Sequence, residues 1–269
     1  MAPVKQRLTF ADDGSTGADV AWLWVNNHEW PGWGADVLTV QPVTTGPPLG
    51  PEAAQPHPWQ PPEPRETFTE TGLTDLVHLT ARGDPRAVLG ALTDASLLVI
   101  GPRGSGVWKH LHLGSTAEWL LQCPPAPLVI VRHAHPTRRV LVCVDGSAHS
   151  TYAVHVLAGL PWLRRCEVTV LGVAEHDRDP EVSVHAAVDA LSDGAARVDP
   201  MVRRAGSQEV SGNVRVDIFV ALDRLGPDLV VLGSRGHTGL RRLRLGSTAS
   251  AVAHHAPCSV LLARVAPGA

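Results

Sequence analysis

The sequence predicts an α/β protein made of two tandem, open, parallel five-stranded sheet domains, and three observations predict it. The chain has 269 residues, long for one domain, with 44% hydrophobic and 18% charged residues, enough apolar mass for ordinary cores and too much for a disordered chain. It repeats itself: a shift of 132 positions lays Gly101 to Arg132 on Gly233 to Arg264 without a gap, with 11 of 32 positions identical. The same shift lays Arg7 on Arg139 and Asp13-Gly14-Ser15 on Asp145-Gly146-Ser147. Finally, short apolar runs alternate with helical patterns, the signature of crossover units in a parallel sheet.

The repeat divides the chain into residues 1–134 and 135–269, with a join near His133 to Thr137. In the second copy Val140 to Val144 reads as a buried strand, and after Asp145-Gly146-Ser147 the residues Ala153, Val156, Leu157 and Leu160 recur at helical spacing. Val168 to Val173 is the next strand, followed by a helix through His185 to Val202, a short strand near Gln208 to Val210 and a helix through Val214 to Leu225. Leu229 to Leu232, a helix from Gly246 to Ala253 and a strand from Ser259 to Ala263 complete this copy. The strands expected in the first copy are Leu8 to Ala11, Val37 to Val40, Leu76 to Leu79, Leu97 to Ile100 and Leu128 to Val131.

One stretch breaks the symmetry. Between Pro42 and Pro64 lie nine of the 23 prolines, where the second copy offers a helix; proline fixes φ and removes the amide donor, so the segment is an irregular excursion. It is either a solvated loop or a lid or partner segment.

Charge and composition exclude several function classes. A net charge of −3 gives no bulk electrostatic case for a nucleic-acid or anionic membrane surface. Cys123, Cys143, Cys166 and Cys258 are widely spaced, without a Cys-x-x-Cys pair, so they read as reduced thiols, with Cys143 inside a buried strand. Met1 to Leu8 lacks an apolar signal core and no apolar run approaches the ~18 residues of a membrane span, so the expected compartment is the cytoplasm. The closest of the 14 histidines, His133 with His135, His110 with His112 and His254 with His255, lack cysteine or carboxylate partners at metal-site spacing. No Gly-x-Ser-x-Gly elbow, dinucleotide Gly-x-Gly-x-x-Gly or Gly-x-x-x-x-Gly-Lys-Ser/Thr loop is present.

Both copies carry one constellation after the fourth strand: Gly101-Pro-Arg-Gly104, nine residues, then Gly114-Ser115-Thr116; and Gly233-Ser-Arg-Gly236, nine residues, then Gly246-Ser247-Thr248. Glycine admits positive φ and close backbone approach, so such a turn can aim amides at an anion. The Gly-Ser-Thr opens a helix whose free amides and dipole also attract phosphate, while the Ser and Thr hydroxyls add donors. In open parallel sheets ligands sit beyond the carboxyl ends of the strands, where these loops and the Asp-Gly-Ser turns both lie. A single loop of this kind is common as ordinary helix capping; its recurrence at identical spacing points to phosphate binding.

At these residues the chain resembles the universal stress protein family. The resemblance rests on Gly-x2-Gly-x9-Gly-Ser in both halves, on Val144-Asp145-Gly-Ser, and on Ala256-Pro-Cys-Ser-Val-Leu-Leu. It covers the chain apart from the excursion at 42–64, and the glycine spacing is that of the family's ATP-binding branch. It implies two Rossmann-like domains joined through their fifth strands as an intrachain pseudo-dimer. It implies that ATP, with Mg²⁺ on its phosphates, meets the loop glycines and hydroxyls, that Asp145 and Asp13 meet the nucleoside, and that Val173 and Val40 lie on adenine. It also implies a homodimer of the tandem chain and a protein partner.

The first copy departs from this pattern. Its first strand ends Ala11-Asp12-Asp13, with a carboxylate where the second copy has Val144. Its loop carries Arg103, Lys109, His110 and His112 against Arg235, Arg241, Arg242 and Arg244, so the second loop is expected to attract a polyphosphate more strongly. The reading that follows is a nucleotide-dependent regulatory protein in the stress response rather than a dedicated enzyme, since no catalytic Asp or arginine finger can be assigned. The alternatives are a slow ATPase or nucleotide-handling enzyme on the same fold, and a tandem adaptor with empty sites.

Overall fold

The computed structural model describes residues 6–43, 59–104, 113–174, 179–203, 213–236 and 245–265. Among the described residues ten strands form one sheet: β1 (Arg7–Asp12), β2 (Gly34–Gln41), β3 (Leu76–Arg82), β4 (Leu97–Ile100), β5 (Leu128–Ile130), β6 (Arg139–Val144), β7 (Glu167–Val173), β8 (Arg197–Arg203), β9 (Leu229–Gly233) and β10 (Ser259–Ala263). Their order is β3-β2-β1-β4-β5-β10-β9-β6-β7-β8, the same five-strand order in each half meeting at β5 and β10. Every pairing is parallel except β5 with β10, where Val260 faces Ile130 and Leu262 faces Leu128 in antiparallel register. The two fifth strands thus cover each other's edges within one chain.

The helices are α1 (Thr16–Asn26), α2 (Pro85–Gly90), α3 (Ser115–Gln122), α4 (Ala148–Ala158), α5 (Glu181–Ser192), α6 (Val214–Leu225) and α7 (Ser247–His255). The central strands are apolar on both faces because helices cover both. Leu97 and Val99 turn into one core with Leu8, Phe10, Trp24 and α4, while Leu98 and Ile100 turn into the other with α3 and α7.

The halves are also fastened side chain to side chain. Trp30 and Trp162, equivalent under the repeat, meet edge to face with ring centres 6.3 Å apart, and Trp24 joins them. His28, buried among these rings, accepts from the Thr137 amide at Nε2 (2.9 Å), while its Nδ1–H donates to the Trp24 carbonyl (2.6 Å). Burial pushes its pKa down to about 4, which keeps the ring neutral. At the other end of the seam Arg132, just after β5, donates to the Ala253 and Cys258 carbonyls, and Arg264, just after β10, donates to Gln122. Each half therefore places a cation at the C-terminal, electronegative end of the other half's last helix.

One expected element is corrected. The helix expected through His185 to Val202 ends at Ser192, and Arg197 to Arg203 is strand β8. Asp193-Gly194 stops the helix, and Pro200 is tolerated because β8 is an edge strand that needs no donor on its open side. The strand expected near Gln208 to Val210 lies outside the described residues. The excursion at 42–64 is described only at its ends. Its second end, from Trp59, continues as an extended strap along α1, with a single 3₁₀ turn at Thr69–Thr71, in the space that α5 fills beside α4 in the second half.

Candidate nucleotide site

Each half folds one cradle at the carboxyl ends of its strands. β1 ends at Asp12, and the turn to α1 passes through Asp13 and then Gly14 at φ +70°; β6 ends at Val144, and its turn passes through Asp145 and then Gly146 at φ +80°. Ser15 and Ser147 cap the helices that follow, accepting from Ala18 (3.1 Å) and Ser150 (3.2 Å). The same hydroxyls donate across to the glycine loops, Ser15 Oγ to the Arg103 carbonyl (3.2 Å) and Ser147 Oγ to the Arg235 carbonyl (3.1 Å). One residue thus starts a helix and ties the aspartate turn to the glycine loop.

The loops close the cradle in the same way twice. Gly114 N–H donates to the Pro102 carbonyl and Gly246 N–H to the Ser234 carbonyl, both at 2.8 Å. A side chain at Gly236 would place its Cβ 2.6 Å from Asp145 Oδ2, and one at Gly104 would overlap Asp13 Oδ2, so the aspartate and the second loop glycine face each other. Positive φ, expected at the loop glycines, falls instead on Gly14 and Gly146; what the loops require is close approach. Gly101 and Gly233 serve that need against protein, since a Cβ there would lie 2.6 Å from the backbone opening α1 or α4. Helices α3 and α7 begin at Ser115 and Ser247, with Gly114 and Gly246 as N-caps that offer no side-chain acceptor, so the first-turn amides of Ser115, Thr116, Ser247 and Thr248 have no capping side chain.

In the first half these residues line one cavity of about 1330 Å³. Asp13, Val40, Gly101, Gly104, Gly114, Ser115 and Thr116, all singled out from the sequence, share its wall. In the second half Asp145, Gly233, Gly236, Gly246 and Ser247 stand in the matching cradle, and Val173 ends β7 beside Arg203 of β8. Lys109, His110, His112, Arg241, Arg242 and Arg244, with Trp108 of the first loop, lie outside the described residues.

The structure adds residues that the sequence reading missed. Arg65, from the strap, grips the buried Asp12 carboxylate through Nε and Nη2, both at 2.7 Å, and reaches Asp19 at 2.7 Å. A carboxylate at a position that is apolar in the second half was the available signal, because a buried charge demands a partner. Trp59, Gln60 and Pro62 of the strap line the cavity, as do Arg132 and His254 to Ala256 at the seam between the halves. Burial and the neighbouring Arg103 lower the Arg132 pKa. His254 bonds Glu118 of α3 at 2.7 Å, so this wall is shared by both halves.

The second half has its own departure. His149 stands where the first half has Gly17; its Nδ1 accepts from Val265 N–H (3.0 Å), and burial with nearby Arg235 and Arg264 lowers its pKa. Burial also holds the Cys143 thiol protonated, pushing its pKa up to about 12.

Fold and site together define an α/β protein with two Rossmann-like units in tandem, each carrying a loop-and-helix cradle of the kind that accepts anions. Residues 136–264 match the model of the Universal stress protein family. A universal stress protein of Mycobacterium tuberculosis is 32% identical over 187 residues, covering 64% of this chain and 62% of that one. One from Synechocystis is 25% identical over 175 residues, covering 64% and 58%. The chain matches less than two thirds of the length of these relatives. A universal stress protein from Archaeoglobus fulgidus shares the fold along 97% of this chain and 98% of its own, with a TM-score of 0.66 at 19% identity. The second half of the chain carries the domain of the universal stress protein family.

Proposed function

We propose that the chain is an ATP-binding regulatory protein of the stress response, holding adenine nucleotide in its two cradles and offering partners a different surface when loaded. The observation that carries this reading is the duplicated cradle, in which aspartate, serine and glycine loop are fastened alike in both halves. In it, Ser115, Thr116, Ser247 and Thr248 with their amides and Gly104 and Gly236 hold the phosphates and ribose. Asp13 and Asp145 take the nucleoside hydroxyls, and Val40 and Val173 the base. In this reading Mg²⁺ is held by the phosphates of the nucleotide.

With β5 and β10 already paired, a homodimer of the tandem chain would use another surface. Among the described residues no helix is long and apolar enough to cross a membrane, and a cytoplasmic location is part of the proposal.

Equilibrium binding of ATP beside single-turnover hydrolysis tests it. Binding without turnover is expected; turnover at a rate matching binding would favour the ATPase, and no binding would favour the adaptor.

A further inference from the structure

The strap that replaces a helix in the first half is fixed at several points. Arg65 is clamped on Asp12 and Asp19, Trp22 Nε1 donates to the Glu66 carbonyl at 2.9 Å, and Asn26 Oδ1 accepts from the Phe68 amide at 2.9 Å. Pro62 lies directly on the Asp-Gly-Ser turn, its Cγ 3.3 Å from where a Gly14 side chain would begin. The strap thereby carries Trp59 to the wall of the cavity, where Val40 and Pro42 at the end of β2 are also exposed to it. The same cavity has the amide-rich start of α3 with Arg103 and Arg132 in its wall. It thus combines an aromatic and aliphatic wall with a cationic one, which suits a planar ring joined to an anionic tail. In the second half the sequence between Val173 and Glu181 contains no Trp, Tyr or Phe, and the chain turns through Pro180 into α5.

We propose that Trp59 is the ring-stacking wall of the first half's site, so that this half recognises the base of its ligand by an aromatic face that the second half lacks. The inference rests on the nucleotide reading above and adds to it a specificity residue outside both glycine loops. Every base has a π-face, so stacking of this kind favours ring-bearing ligands and is indifferent to the phosphates.

The test uses the full chain carrying Gly236→Val, which blocks the second cradle, and compares ATP with inorganic tripolyphosphate by equilibrium dialysis. Trp59→Ala is expected to weaken ATP about tenfold, Trp59→Phe to hold it within about threefold of the parent, and neither to change tripolyphosphate. Unchanged ATP affinity in Trp59→Ala overturns the proposal, and so does an equal loss of ATP and tripolyphosphate, which would make Trp59 a support for the loops. If the Gly236→Val chain binds no ATP at all, the nucleotide reading of the first half falls and this inference with it. In the chain without Gly236→Val, the fluorescence difference between parent and Trp59→Phe should change saturably with ATP; no change at saturation contradicts the stacking.

Discussion

In the second half the wall beside the cradle is a helix, α5, whose Val184, Ala187 and Leu191 are buried against the sheet and α4. In the first half the corresponding wall is a strap held by hydrogen bonds and an ion pair, and it rises over the cavity. The cradles beneath are closed by the same serine-to-loop bond, 3.2 Å in one and 3.1 Å in the other. The difference teaches which parts of the unit are interchangeable. Wall and roof can be rebuilt from different structure, provided each change brings its own compensation, as Asp12 brings Arg65. The aspartate, glycine and serine of the turn and the arginine and glycines of the loop recur in both cradles, while Pro102 gives way to Ser234 and Gly17 to His149.

The sharpest way to break this comparison is to remove that compensation. Arg65→Met leaves the Asp12 carboxylate, 1% exposed, without its cation, and should cost about 3 to 5 kcal/mol in the first denaturation transition. The double variant Asp12→Val with Arg65→Met copies the apolar Val144 of the second half and should recover most of the loss. An unaffected single variant would show that the strap is not anchored there.

The next effect lies at the seam, where His28 stands 132 positions before the apolar Leu160. Its folded pKa of about 4 is below the unfolded value, so its contribution is full above about pH 6.5 and is lost as pH falls toward 4. Denaturation midpoints should drop over that window by the equivalent of about 3 kcal/mol. His28→Leu, which makes the halves alike, should flatten the profile while lowering stability at pH 7, because the Thr137 amide loses its acceptor. A His28→Leu profile parallel to the parent's would assign the pH dependence elsewhere.

The smallest effects are expected from the serines. Ser15→Ala and Ser147→Ala each remove an N-cap and the tie to the glycine loop, and should cost about 1 kcal/mol apiece. Nearly equal losses in the two halves sharpen the claim that the cradles are equivalent; a loss in one alone weakens it.

The architecture was legible in the sequence because the repeat fixed two units at once and the apolar runs marked the strands. Leu97 to Ile100 and Ser259 to Ala263 begin and end where the sequence placed them. Fold-level contacts made through side chains far apart in the chain were not legible. Trp30 against Trp162 needs the antiparallel joining of the halves, and Arg65 on Asp12 spans 53 residues across a proline-rich stretch without periodicity. The end of α5 was missed because apolar residues continue through Val198 and Val202, and a strand with a proline reads poorly beside a helix pattern. In the cradles, the residue types were legible as a set, but the job of Ser15 and Ser147 and the facing of Gly236 to Asp145 appear only once the loops are folded together.

The central claim is that two equivalent cradles each hold a nucleotide. ATP stoichiometry by equilibrium dialysis of the parent, Gly104→Val, Gly236→Val and the double variant tests it most directly. A Val side chain at either position collides with the aspartate opposite. The account predicts about two equivalents bound in the parent, one in each single variant and none in the double. Unchanged stoichiometry and affinity in Gly236→Val, with the variant folded as the parent is, would contradict it.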